Sequence, residues 1–101
     1  MNVRAIKKNF KGLDVGIKVF FTLVLASRPD GTVDLSKTRI SECLNVSRQT
    51  VGRHIKTFAD CGILKYKFSG KGMFNPDFYY VGPPEQKQRA QEDYARFKSD
   101  T

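Results

Sequence analysis

Residues 35–62 read LSKTRISECLNVSRQTVGRHIKTFADCG. Two helices joined by a tight turn account for this stretch. Ser36 is a good helix cap, and Ile40 and Leu44 then fall on one face at i, i+4. Asn45-Val46 is the turn, because Asn tolerates the left-handed conformation such a corner needs and Val46 can plug the angle between the helices. Ser47 caps the next helix, which runs to about residue 60 with Val51, Ile55 and Phe58 at i, i+4 and i+7 and Ala59 beside them. Gly62 follows as the stop. The opposite face of this second helix carries Arg48, Gln49, Gly52, Arg53 and Lys56.

Working outward, residues 64–68 alternate as a strand, and Ser69-Gly70-Lys71-Gly72 reads as a glycine-rich hairpin tip. Residues 73–81 read as the return strand, interrupted near Asn75-Pro76, with residues 78–81 pairing again. Upstream, residues 32–35 predict a short strand after the Arg28-Pro29-Asp30-Gly31 turn. A helix from residue 13 or 14 to 27 is apolar almost all round, so either a second subunit or the carboxy-terminal tail must cover part of it. Residues 85–98 predict a last helix with Ala90, Tyr94 and Phe97 on one stripe, packing on the first helix or on a partner subunit. The fold class is therefore mainly α with a small β-hairpin wing, a winged helix-turn-helix. Its organisation is a basic arm over residues 1–12 (Arg4, Lys7, Lys8, Lys11, with Ile6 and Phe10 at i, i+4), the winged domain over 13–82, and a carboxy-terminal helix over 83–101 for packing or dimerisation.

The 101 residues fit one domain with a modest core, and 40% hydrophobic against 28% charged residues is not the composition of a disordered chain. Charge is unevenly placed. Residues 1–82 hold 14 Lys/Arg and six Asp/Glu, whereas residues 83–101 hold four of each, so the whole formal net charge of +8 lies outside the tail. Such a field suits a polyanion, against the alternative of a merely solubilising basic surface. Cys43 and Cys61 read as two free thiols in a reducing compartment. The apolar stretch 17–26 is too short to span a bilayer, and the amino terminus makes a poor secretion signal, so a cytoplasmic protein with no membrane partner is expected.

Nothing in the sequence assembles a catalytic or metal site. His54 is the only histidine and has no nucleophile arranged beside it; two cysteines and one histidine do not make a zinc site; Gly70-Lys71-Gly72 lacks the length and the Ser/Thr of a nucleotide-binding loop. An enzyme is not expected, and no cofactor is implied. Double-stranded DNA is the expected partner. Arg48, Gln49, Gly52 and Arg53 are the candidate base-reading positions, since Arg matches guanine and Gln matches adenine in bidentate fashion, and a glycine permits close approach. Lys37, Thr38, Arg39 and Ser41 at the start of the preceding helix, with Ser47, Thr50 and Lys56, are candidate phosphate contacts. On the wing, Lys65, Lys67, Gly70, Lys71 and Gly72 are candidates for the backbone or the minor groove. The aromatics Phe74, Phe78, Tyr79 and Tyr80 either stack on exposed bases or, as strand alternation favours for most, pack in the core.

The run from residue 35 to 81 resembles the winged helix-turn-helix superfamily. Within it, VSRQTVGRHIKTFADCGIL (46–64) is similar to recognition-helix segments of bacterial transcription regulators and replication proteins. The Gly-x-Gly-x-x-Asn-Pro pattern of Gly70, Gly72, Asn75 and Pro76 resembles the carboxy-terminal domain of RepL-type plasmid replication proteins. The resemblance implies a duplex-DNA-binding protein, as a homodimer, in plasmid or phage replication initiation or its control, or in transcription regulation. Arg48, Gln49, Thr50, Arg53 and Lys71 would then contact DNA, while Asn75 and Pro76 would shape the wing. A protein-interaction module on the same fold, or an RNA or single-strand binder, are the alternatives from other classes.

Overall fold

A computed structural model describes residues 14–99. The basic arm and the start of the first helix at residue 13 lie outside the described residues. The elements are α1 (Val15–Ala26), β1 (Thr32–Asp34), α2 (Lys37–Leu44), α3 (Arg48–Asp60), β2 (Leu64–Tyr66), β3 (Lys71–Phe74), a 3-10 turn (Pro84–Gln86) and α4 (Lys87–Arg96).

Each of the first three helices starts on a side-chain cap that satisfies amides the helix itself leaves open. Asp14 accepts from the Gly16 N–H at 2.7 Å, Ser36 from the Arg39 N–H at 3.2 Å and Ser47 from the Thr50 N–H at 3.1 Å. Asn45 adopts the left-handed conformation (φ 56°) and closes α2, and Val46 N–H bonds back to the Ser41 carbonyl at 3.1 Å. That corner sets α3 across α2. The core lies between these helices and the sheet: Val19 and Leu23 of α1, Ile40 of α2, Val51 and Ile55 of α3, and Val33, Leu64, Tyr66 and Phe74 of the strands. Phe20 meets Phe58, Phe74 and Phe78 edge-on, with centroids 5.8, 6.0 and 6.2 Å away, which ties α1 to α3 and to the segment after β3.

The sheet is antiparallel in the order β1-β3-β2. Val33, Gly72 and Tyr66 stand in register across it, with Gly72 in the middle. A Cβ at Gly72 would lie 2.8 Å from the Lys65 carbonyl oxygen and 3.0 Å from the Tyr66 ring. This glycine therefore makes room for its neighbours and does not form a turn. The hairpin tip falls at residues 67–70 instead of 69–72: Lys67 N–H donates to the Lys71 carbonyl (2.8 Å) and Gly70 N–H to the Lys67 carbonyl (2.9 Å), so Lys71 and Gly72 belong to β3.

Two further expectations are corrected. Residues 78–81 do not pair as strand. Pro76 has no N–H to donate, and Asn75 takes over the local bonding. Its carbonyl accepts from the Phe78 and Tyr79 N–H groups (both 2.9 Å), its side-chain oxygen from the Asp77 N–H (2.9 Å), and its amide donates to the Gly62 carbonyl (3.0 Å). The carboxy-terminal helix does not pack on α1. It lies on the outer face of the sheet, where Lys65 Nζ donates to the Tyr94 carbonyl at 2.8 Å and sits 4.5 Å from the centre of the Tyr94 ring. Ile17 (44% exposed) and Leu25 (60% exposed) of α1 are open at the surface.

Candidate nucleic-acid interface

The exposed face of α3 is where the sequence predicts base-reading groups. Arg48, Gln49 and Arg53 are exposed and Gly52 is half-buried, because Val51 and Ile55 turn inward and fix the rotation of the helix. Arg53 Nη2 lies 3.4 Å from Thr50 Oγ1, a long contact that leaves the guanidinium fork available to a ligand. Thr50 Oγ1 is also 2.8 Å from Ser47 Oγ, so these two hydroxyls order the first turn of α3. Lys56 is exposed one turn further on.

A cleft of about 760 Å³ runs between α3 and the wing, and its walls include Lys37, Gln49, Gly52, Arg53, Lys56 and Phe68. Among the described residues, four cations (Lys37, Arg53, Lys56, Lys67) against one acid, Asp60, line it, so it favours an anion. The wing is held beside α3 by buried bonds. Tyr66 OH donates to the Leu35 carbonyl, and Gly70 accepts from the Leu35 N–H at 2.9 Å. Burial, with a smaller contribution from the Asp34 charge, pushes the Tyr66 phenol up to about 12, so it stays a neutral donor at any physiological pH.

The remaining predicted contacts divide. Lys37 turns from α2 towards the wing, its Nζ 5.1 Å from the Phe68 ring centre and 5.9 Å from that of Tyr66. Thr38 and Arg39 are exposed on the first turn of α2. Ser41 is buried and donates to the Thr38 carbonyl at 2.8 Å. Lys71 is exposed and stands opposite Asp34 in the sheet register. Lys65 faces α4, and Lys67 Nζ sits 5.1 Å from the Phe97 ring. Gly70 and Gly72 shape the wing from buried positions. His54 is half-buried against α1, where a Cβ on Gly16 would come within 3.0 Å of its Nδ1. Phe68, at the wing tip and 72% exposed, was not among the predicted contacts. An aromatic between a lysine and a Ser-Gly turn, as in Lys67-Phe68-Ser69-Gly70, is the signal that could have found it.

Gly52 is open to a direct test. A Cβ there would meet only the Lys37 side chain, at 3.8–3.9 Å, an ordinary contact. Gly52→Ala is expected to raise the unfolding free energy by about 0.5–1 kcal/mol through helix propensity, read by urea denaturation. A loss of stability would show that the backbone at this point needs glycine for the fold itself.

Capped helices at a tight corner, a three-stranded wing beside the second of them, and a cationic cleft between the two define a winged helix protein. The family described as Firmicute plasmid replication protein (RepL) matches over residues 16–101, and the chain belongs to it. No curated protein and no solved structure matches the chain. Among the described residues, no helix is long and apolar enough to cross a membrane.

Proposed function

We propose that this plasmid replication protein binds double-stranded DNA at a particular sequence, with α3 in the major groove and the wing along the adjacent backbone, and that it acts in replication initiation or its control by binding and not by catalysis. The observation that carries this reading is the run of Arg48, Gln49 and Arg53 on one exposed face of a helix whose other face is locked into the core. Arg48 and Arg53 suit guanine and Gln49 suits adenine. Lys56 and the exposed start of α2, with Thr38 and Arg39, suit phosphates that set the register. The exposed apolar side chains of Ile17 and Leu25 on α1 support a homodimer, which would read two half-sites about one helical turn apart.

Arg53→Ala tests the reading. Affinity for the preferred duplex is expected to fall about 10- to 100-fold, the equivalent of one lost bidentate base contact, with a much smaller loss on unrelated duplex. Titration of both duplexes at fixed, near-physiological salt measures the ratio. An equal loss on both would remove Arg53 from base reading and leave it a phosphate contact. On the same reading, Gly52→Ala weakens duplex binding while stabilising the free protein.

A further inference from the structure

The helix on the outer face of the sheet is lightly held. Ala90 is the one residue of α4 that is buried, against two or three in each of α1, α2 and α3. Polar contacts add to this. Gln91 Nε2 donates to Asp77 Oδ1 at 2.7 Å, and Lys65 Nζ donates to the Tyr94 carbonyl at 2.8 Å while sitting 4.5 Å from the Tyr94 ring centre. Beyond the end of the helix, the Phe97 ring centre lies 5.1 Å from Lys67 Nζ. An element with so little apolar burial opens more readily than the core beneath it.

What this segment covers is cationic. Lys65 and Lys67, both candidates for the DNA backbone, are half-buried, whereas Lys71 on the next strand is exposed. The chain then continues to the reading face: Ser99 lines the cleft between α3 and the wing together with Gln49, Gly52, Arg53 and Lys67. A duplex with α3 in its major groove and the wing on its backbone occupies that same cleft. Residues 97–99 and DNA therefore claim one space. Ring faces and a carbonyl hold an ammonium without neutralising it, so both lysines still attract a polyanion. A phosphate, which bonds them with a whole charge, is the stronger ligand.

We propose that residues 94–99 are an autoinhibitory strap: they hold Lys65 and Lys67 away from DNA, end in the cleft beside α3, and are displaced when duplex binds, which hands both lysines to its phosphates. The proposal rests on the duplex-binding reading above. It adds that the free chain meets DNA in a closed form, so its affinity for duplex is the intrinsic one reduced by the fraction of chains in which the strap is open.

The test uses the full chain and its Tyr94→Ala/Phe97→Ala double variant, with far-ultraviolet circular dichroism to check folding and the preferred duplex at fixed salt as the probe. Removing the two ring contacts is expected to raise duplex affinity about 5- to 30-fold, the equivalent of two exposed cation–π contacts. Lys67→Gln added to the double variant should flatten the dependence of log affinity on log salt by about 0.9, one phosphate contact fewer. Hydrogen exchange of the wild-type chain needs no variant. The Phe97 amide, bonded to the Asp93 carbonyl at 3.0 Å, should exchange faster once duplex is added in excess, while the amides of α3 slow. Unchanged or slower exchange at Phe97, or an affinity equal or lower in the double variant, would overturn the strap while leaving duplex reading intact. An unchanged salt slope would overturn the transfer of Lys67 to a phosphate. Duplex binding by the double variant alone would sustain both readings. No duplex binding by either chain would overturn both.

Discussion

Phe74→Ala is expected to remove about 3–5 kcal/mol of unfolding free energy, the usual cost of emptying a buried aromatic site. Phe74 is fully buried and stands in the last position of the central strand. Its ring meets Tyr79 at 5.2 Å and Phe20 at 6.0 Å, so it joins the sheet both to α1 and to the chain that follows Asn75. The surrounding elements are short, and collapse into the space would have to shift helix against sheet. Domains of this size hold about 5–15 kcal/mol in total, so the variant should unfold at markedly lower urea and, at the low end of that range, keep only about 0–2 kcal/mol without it. A loss below about 1 kcal/mol would mean that Phe74 is not the centre of the core described above.

Gly70→Ala is expected to cost about 2–4 kcal/mol, from a left-handed backbone and a steric overlap together. Gly70 has φ +98°, and an alanine Cβ would fall 2.8 Å from both the Cα and the nitrogen of Ser36. Those are backbone atoms at the cap of α2, so no side-chain rotation relieves the contact. Either the wing or the start of α2 must move, and the Leu35–Gly70 bond is the first to go. Urea denaturation measures the loss, and amide chemical shifts at Leu35 and Ser36 locate it. Unchanged shifts with full stability would contradict the account of the wing as anchored at this point. Because the same anchor positions Phe68 and Lys37 beside α3, the variant should also weaken duplex binding under conditions where it remains folded.

The helix-turn-helix was legible because its signals are local. Ser36, Asn45 and Ser47 act within one turn of themselves, and the Val51, Ile55 and Phe58 spacing needs only a helix to have meaning. The wing was legible as a hairpin but not in its register. Two glycines two residues apart look alike in sequence, yet Gly70 answers to the Ser36 backbone and Gly72 to Tyr66 and Val33, contacts more than thirty residues away in two of the three cases. The return strand was read too long because Phe78, Tyr79 and Tyr80 have the composition of a strand, whereas Asn75 ends the pairing by bonding to its own neighbours. The position of α4 was hidden for a different reason. Tyr94 and Phe97 look like an apolar stripe seeking an apolar face, but they rest against the ammonium groups of Lys65 and Lys67, a pairing that hydrophobic periodicity does not register.

The candidate interface divides along the same line. Arg48, Gln49, Arg53 and Lys56 followed from helical geometry and lie exposed on α3 as expected. Ser41 is buried with its hydroxyl bonded within its own helix, and Lys65 bonds to α4, two placements that the local pattern does not register. Phe68 was passed over because an aromatic in a strand candidate is ordinarily core; only the position of the turn, one residue before it, places it at the tip.

The central claim, that α3 reads a DNA sequence, is tested most directly by selection from a pool of random duplex DNA at near-physiological salt. An enriched motif is expected, palindromic for a symmetric dimer, with the enrichment lost in Arg53→Ala. Retention of duplex without any enriched motif, with binding that simply weakens as salt rises, would contradict it.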